Sequence, residues 1–363
     1  MLSPHLSPSS RTGFGPRTAR RLAVLLVPVA LAITACGGNS GGSGGAGGDT
    51  LTITYVDFGP SPDRLGAVAP ERFMDLVEER SDGKIKFERT YGGTLVPEKD
   101  QLQGLKSGVY QMGYYIPTRS AATLPVSTIL DLPFLLPNAS DVFSVGTEFI
   151  TTEPSIQQEW ESLDATPFFV QANPPVQLLL REKPSRLSDL GGLTLRSPGA
   201  SYDPVVTALG ATPVNLSVAD IPTALSRGTI DGTIYAIYSA TEAGLAESAK
   251  SAIDIDLGGV NGVIYFAKST YDSLSSEQRD LFEQARTDAL EYSASRLEQG
   301  IEEAVATYEG AGGELLPDLG EEFAHSIAPD VQQQISQEWL AALPSGVDGK
   351  ALIDKLKSLT RAS

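Results

Sequence analysis

Few side chains in this sequence are of a type and spacing that could do chemistry. There are two histidines, His5 near the N-terminus and His325 near the other end, and Cys36 is the only cysteine. A histidine-rich zinc site is excluded on that count, and no metal or cofactor is expected. A Ser-His-Asp triad would need His325 at a cleft, and no GxSxG turn supports it. Carboxylate pairs such as Asp63 with Glu71, or Glu302 with Glu303, read as solvated helix faces. What remains is a cation placed to receive an acid. In residues 193–239, Arg196 ends a short strand, and Ser197-Pro198-Gly199-Ala200-Ser201 turns the chain into a helix that stops near Leu209, with Gly210 beyond it. In open α/β sheets ligands bind beyond the carboxyl ends of the strands, where a helix N-terminus offers free N–H groups. An arginine there makes a carboxylate receptor. The alternative is that Arg196 pairs with an Asp or Glu of its own chain.

The elements that must position Arg196 follow from punctuation and periodicity. Residues 52–56 alternate as a strand ended by Asp57-Phe58-Gly59-Pro60. Ser61-Pro62 reads as N-cap and first residue of a helix that runs to Gly83 with a kink at Pro70. Residues 84–89 form a second strand, 97–106 a helix, and 112–116 a third strand. That alternation predicts a parallel sheet covered by helices. Residues 129–137, ILDLPFLLP, read as core near a lobe boundary. Further strands are expected at 176–181, 212–216 and 229–238, and Asp220 is the expected N-cap of the helix closed by Gly228. Ser275-Ser276-Glu277-Gln278 holds a capping box opening the longest helix, which runs to Gly310. About 33 residues at roughly 1.5 Å each span on the order of 50 Å, enough to back two lobes.

The first fifty residues stand apart. Arg17, Arg20 and Arg21 precede an apolar run, residues 22–33, too short to span a bilayer, and Ile33-Thr34-Ala35-Cys36 looks like a bacterial lipobox. Cys36 would then be the lipid-bearing first residue of the mature protein, anchored on the outer face of the cytoplasmic membrane or in the periplasm. Residues 37–49 are a glycine-rich tether without a GK[ST] phosphate-loop ending. With Cys36 taken by lipid, no disulfide is available and burial must hold the fold. Formal charge is −18 for 363 residues; less the four arginines of residues 1–36, it becomes −22. So acidic a chain is no nucleic-acid or anionic-membrane surface. A charge beyond about 8 to 10 Å is screened, so a local arginine can still attract an anion.

Seven stretches in one order, FMDLVEERSDGKIKFERTYGGTL, LQGLKSGVYQMG, LDLPFLLP, LSDLGGLTLRSPGAS, ALGATPVNL, ALSRGTIDGTIY and YDSLSSEQRDLFEQA, resemble the solute-binding proteins of tripartite ATP-independent periplasmic (TRAP) transporters, over residues 50 to about 317. The resemblance implies an α/β fold of two lobes joined by crossing strands, a ligand cleft between them and a long C-terminal helix spanning both. Lobe I would hold 50–173 and 262–301, lobe II 174–261 and 302–363. It also implies that Arg196 holds a ligand carboxylate and that the loaded, monomeric protein delivers it to membrane permease subunits. A sensor subunit or an extracellular lipoprotein enzyme are the alternatives.

The sequence departs from the family at three places. The second arginine common at about Val176 or Gln177 is absent, with Arg181 on the same strand; Tyr235 stands where asparagine is usual; Gln111 stands where an acid is usual. Asp57, Phe58, Tyr115, Asn173, Gln177, Arg181 and Tyr235 complete the expected ligand set with Arg196. One arginine among tyrosines (Tyr235, Tyr238, Tyr114 or Tyr115) points to a monocarboxylate with an apolar or aromatic body over a small dicarboxylate.

Overall fold

The computed structural model describes residues 50–360 other than Pro137 and Asp256. The signal segment, the tether and Cys36 lie outside the described residues. Eleven strands among them form two sheets. The first contains β1 (Leu51–Val56), β2 (Ile85–Thr90), β3 (Met112–Tyr115), β4 (Ala165–Gln171) and β10 (Gly262–Ala267), in the order β2-β1-β3-β10-β4. The second contains β5 (Gln177–Leu180), β6 (Thr194–Ser197), β7 (Thr212–Asn215), β8 (Gly232–Tyr235), β9 (Ser251–Ile253) and β11 (Glu314–Leu315), in the order β11-β9-β5-β8-β6-β7.

Neither sheet is purely parallel. β1 is parallel to β2 and β3, but β10 runs antiparallel to β3 and β4. In the second sheet β6 is parallel to β7 and β8, while β5 runs antiparallel to β8 and β9. The reversed strands are the two that follow a crossing, β4 to β5 and β9 to β10. A chain that leaves one sheet at its cleft end enters the other from the cleft, against the direction of its neighbours. The crossing segments touch: Val176 N–H donates to Gly258 O at 2.9 Å, and Asn173 N–H to Asn261 Oδ1 at 3.2 Å.

The first core is aromatic. Phe73 meets the edges of Phe87, Phe168, Phe169, Phe266 and Phe282 at centroid separations of 5.3 to 6.4 Å, each such pair worth about 0.5–1.5 kcal/mol beyond its buried area. Phe282 belongs to the helix Ser276–Gly310, whose capping box is formed as the sequence predicts. At its far end Tyr308 donates to Ala249 O at 2.7 Å beside the second sheet, so this one helix backs both sheets. At Gly300 it passes so close to Leu65 that a Cβ would lie 2.6 Å from that side chain.

Several expectations shift. The first long helix occupies Val68–Arg80 instead of starting at Pro62. Arg64 is extended (φ −72°, ψ 149°) as its side chain folds back onto Asp57, and Pro70 sits in the first turn, where its missing N–H costs nothing and no kink arises. The strand expected over 229–238 is β8 alone, followed by the helix Ile237–Glu242 that carries Tyr238. Asp220 precedes the helix Ile221–Arg227 without capping it, because its carboxylate takes the Ser217 hydroxyl at 2.6 Å. Gly228 does close that helix, in the left-handed region at φ 71°.

The C-terminal segment, placed with lobe II by sequence, is divided. Residues 314–315 add a strand to the second sheet, whereas Trp339 Nε1 donates to Pro125 O (3.2 Å) and Thr128 Oγ1 (3.0 Å), and Lys355 pairs with Glu153 at 2.9 Å. These last helices therefore touch both lobes: the helix Ala328–Ala342 also packs on the helix Asp203–Ala208 beyond β6. No helix among the described residues is long and apolar enough to cross a membrane.

Candidate functional site

Arg196 lies in β6, and its backbone is paired on one side with Val214 of β7 and on the other with Thr233 of β8. The side chain therefore reaches across the carboxyl ends of three parallel strands. Nε donates to Leu216 O at 3.3 Å and Nη1 to Ile234 O at 3.1 Å. Arg196 is buried (6% exposed), and no carboxylate among the described residues lies within ion-pair distance. The pairing with an acid of its own chain is thus not what the fold builds. Of the five guanidinium N–H groups, three donate to no described residue. Burial holds its pKa below the ordinary arginine value; Tyr235 opposes that shift and the charge of Arg119 adds to it. The group remains cationic at any physiological pH, so it is a desolvated charge awaiting an anion.

Tyr235 ends β8 opposite Gln177, the first residue of β5. Burial raises the Tyr235 phenol pKa, while a hydrogen bond with Ser239 and the Arg196 charge lower it; Tyr235 directly follows Ile234, whose carbonyl accepts from Arg196 at 3.1 Å. Gln177 is buried and its Oε1 accepts Ile237 N–H at 3.1 Å, which fixes the turn from β8 into the helix that follows. Arg181 is not there. β5 starts at the cleft and runs away from it, so Arg181 is at the opposite end of the sheet, on the order of 13 Å off along the strand. Its guanidinium packs against Gly228 instead.

The first lobe contributes a second cluster at the end of β1. Asp57 is buried, and its carboxylate accepts Gly59 N–H (2.7 Å) and the Tyr55 hydroxyl (3.0 Å) and is ion-paired with Arg64. Every described contact of Asp57 is thus within its own lobe, and its work is to aim Arg64. Burial alone would lower the Arg64 pKa; the charge and hydrogen bond of Asp57 outweigh it and hold it high. The Arg64 guanidinium lies 5.5 Å from the centroid of Tyr114, which also stacks on Phe58 at 5.2 Å. Asn173 Nδ2 donates to Tyr114 Oη (2.8 Å) and Val260 O (2.6 Å). Phe58, Asn173 and Tyr114 therefore form one wall. Tyr115, the next residue of β3, points to the other face and bonds Ser120.

Arg119 was missed from sequence. It sits in the turn Pro117–Ser120 just past β3, half-exposed, with Glu98 Oε1 at 3.4 Å, and its charge is felt at both Arg196 and Asp131. The rule that singled out Arg196, a cation just beyond a strand's carboxyl end, applies equally to Arg119 and would have found it. Its described ion pair is with Glu98 of its own lobe. Arg64 had no such signal, since its role depends on a loop folding back by seven residues. Asp131 is buried, accepting Asn261 N–H (2.7 Å) and the Thr118 hydroxyl (2.9 Å); burial pushes its pKa to about 7 against the pull of those donors and of Arg119.

The arrangement suits binding, not bond making. His325 is exposed, its Nδ1 facing Glu321 O at 2.7 Å on its own helix. No group of three or more metal-ligating side chains occurs among the described residues. A planar fork with free N–H groups at a strand end is matched by a carboxylate.

Comparison with known proteins agrees with this geometry. Residues 59–338 match the family described as bacterial extracellular solute-binding protein, family 7. The 2,3-diketo-L-gulonate-binding periplasmic protein YiaO of Escherichia coli (strain K12) is 21% identical over 291 residues, 80% of this chain and 88% of YiaO. A TRAP periplasmic solute binding protein from Desulfovibrio salexigens, in an open complex, shares the fold with TM-score 0.73 at 19% identity, over 85% of this chain and 95% of its own. DctP6, a Bordetella pertussis extracytoplasmic solute receptor binding pyroglutamic acid, does so with TM-score 0.70 at 19% identity, over 85% and 100%.

Proposed function

Because the chain belongs to family 7 of the bacterial extracellular solute-binding proteins, we propose that it captures an organic acid outside the cytoplasm and delivers it to the membrane subunits of a TRAP transporter. It is a binding protein, not an enzyme. The observation that carries the reading is Arg196, a buried guanidinium that spans the carboxyl ends of β7 and β8, keeps free N–H groups and has no acid partner among the described residues. The relatives named above bind a diketo sugar acid and a lactam acid, which supports a carboxylate as the common element.

The ligand sits between the lobes. Its carboxylate lies on Arg196, with Tyr235 and Gln177 on the second lobe and Phe58, Tyr114 and Asn173 walling the first; Asp57 acts through Arg64. A charged hydrogen bond contributes about 1.5–3 kcal/mol, whereas micromolar affinity needs about 8. Closure over the ligand body supplies the rest, and the closed form is what the membrane subunits read. The protein works as a monomer tethered through residues 37–49 to lipid on Cys36, with residues 1–36 as the export signal and lipobox, cleaved before Cys36.

A thermal-shift screen of mono- and dicarboxylates on the purified protein tests this. At about 100 times its dissociation constant a ligand adds about 2.7 kcal/mol to stability. A screen in which amides stabilise as well as their free acids would reject the carboxylate reading.

A further inference from the structure

Arg64 stands in the loop past β1, where two glycines make room for it. Its guanidinium lies against Gly59, and a Cβ on Gly66 would stand 3.2 Å from Nη1 and collide with Asn173 Oδ1. Arg64 Nη1 and Asn173 Oδ1 thus lie over the same glycine. Only Nη2 has a partner among the described residues, the Asp57 carboxylate; the N–H groups of Nη1 have none. Asn173 spends Nδ2 on Tyr114 Oη and Val260 O, which fixes the orientation of the amide, and its Oδ1 accepts from no described residue. Neither free atom is sealed in protein as the partnerless Gln101 amide is, and the Arg64 side chain is 17% exposed. A donor and an acceptor therefore open side by side onto accessible space.

Both belong to the edge of the first sheet from which the chain crosses to the second. β1, β3 and β4 run the same way, because β10 is antiparallel to both β3 and β4, so their carboxyl ends share that edge. Asn173 lies two residues past β4, in the crossing segment. Gln177, at the other end of the crossing, pairs with Tyr235, next to the Ile234 carbonyl that Arg196 holds. Four extended residues cover at most about 14 Å, a span that a ligand of several carbons bridges. The two arginines differ in charge balance. Asp57 neutralises Arg64, whereas Arg196 has no acid partner among the described residues. A second ligand carboxylate at Arg64 would meet the Asp57 charge and the Asn173 oxygen. A hydroxyl accepts from Nη1 and donates to Oδ1 at once. Phe58 and Tyr114, stacked at 5.2 Å, offer an apolar wall to the carbons between.

We propose that Arg64 Nη1 and Asn173 Oδ1 form a second subsite that reads a hydroxyl at the far end of a ligand whose carboxylate is held by Arg196. The proposal rests on the carboxylate reading of Arg196 and narrows it: acids with a distant hydroxyl are preferred over plain acids and over diacids of the same length. Arg64 is a specificity-determining residue, held in place by Asp57.

Calorimetric titration of the full protein with length-matched sets tests it: butanoate, 4-hydroxybutanoate and succinate; hexanoate, 6-hydroxyhexanoate and adipate; octanoate, 8-hydroxyoctanoate and suberate. In at least one set the hydroxy acid should bind roughly tenfold more tightly than both others. A parent without that preference in any set, or one in which the diacid leads every set, overturns the subsite. Arg64→Lys keeps a cation for Asp57 but removes the Nη1 donors, and Gly66→Ala sets a methyl group over the pair. The ratio of hydroxy to plain acid should fall to within about threefold, read in whichever of the two keeps the parent's cooperative melting. A merely structural Arg64 would weaken both acids together, so a ratio that persists overturns the assignment. The amides of the same acids separate the two readings. If they bind as well as the acids, the Arg196 reading falls; if they do not bind and the ratio persists in the variants, only the Arg64 assignment falls. A panel in which no acid binds overturns both.

Discussion

Replacing Arg196 by lysine keeps the positive charge and removes the fork. In the structure the guanidinium holds Leu216 O and Ile234 O at once, 3.3 and 3.1 Å away, and still presents free N–H groups to the cleft. An ammonium on a flexible stem cannot hold both carbonyls and receive a bidentate acid. Losing one charged hydrogen bond to the ligand costs about 1.5–3 kcal/mol, which raises the dissociation constant roughly 10- to 150-fold. In a thermal-shift assay with ligand at about 100 times the parent constant, the parent gains about 2.7 kcal/mol, on the order of 4 °C for a chain of this length. The variant, now near half-saturation if the loss is about 100-fold, gains only about 0.4 kcal/mol, under 1 °C. Without ligand, one buried carbonyl loses its donor, a cost of about 1–3 kcal/mol, partly offset because a desolvated charge with no acid partner is itself unfavourable. A variant that retains more than half of the parent's ligand-induced shift would refute the assignment of Arg196 as the receptor.

Arg181→Ala should leave ligand affinity within about twofold, since β5 carries that residue away from the cleft; a tenfold loss in titration would contradict the strand direction. Asp131 supplies a pH dependence. Its folded pKa of about 7 lies above the ordinary 3.8, so the native state favours the protonated acid. That contribution is fully present below about pH 4 and is lost as pH rises towards 7, at most about 4 kcal/mol for a shift of roughly three units. Denaturant unfolding between pH 4.5 and 8 should therefore show a steeper fall for the parent than for Asp131→Asn; parallel curves would disprove it. Gly300→Ala would put a methyl group 2.6 Å from the Leu65 side chain. A loss of about 1–3 kcal/mol in urea unfolding is expected, and an unchanged midpoint would show that the helix is not held against Leu65. Cys36→Ser should release the protein from membranes into the soluble fraction; continued membrane association would reject lipid attachment at that position.

Local pattern alone determined much of this protein. Strand and helix boundaries set by glycine, proline and alternation are local events, which is why β6, the Gly228 stop and the Ser275 capping box were readable, and why Arg196 could be placed at a strand end. Seven ordered stretches carried the family and its two-lobe plan. The direction of β5 was not local. It is reversed only because the chain crosses between lobes and enters the second sheet from the cleft, which sends Arg181 to the wrong end and leaves Gln177 at the site. The partners of Asp57 were equally hidden, since its pairing with Arg64 requires a loop to fold back and displaces the start of the following helix. Asp131 and Asn261 lie 130 residues apart in sequence and are joined only where the chain crosses between the lobes. Sequence spacing tells which side chains stand at a strand's end, but which of those ends face one another is decided by how the lobes pack, and it is there that charges acquire or are denied their partners.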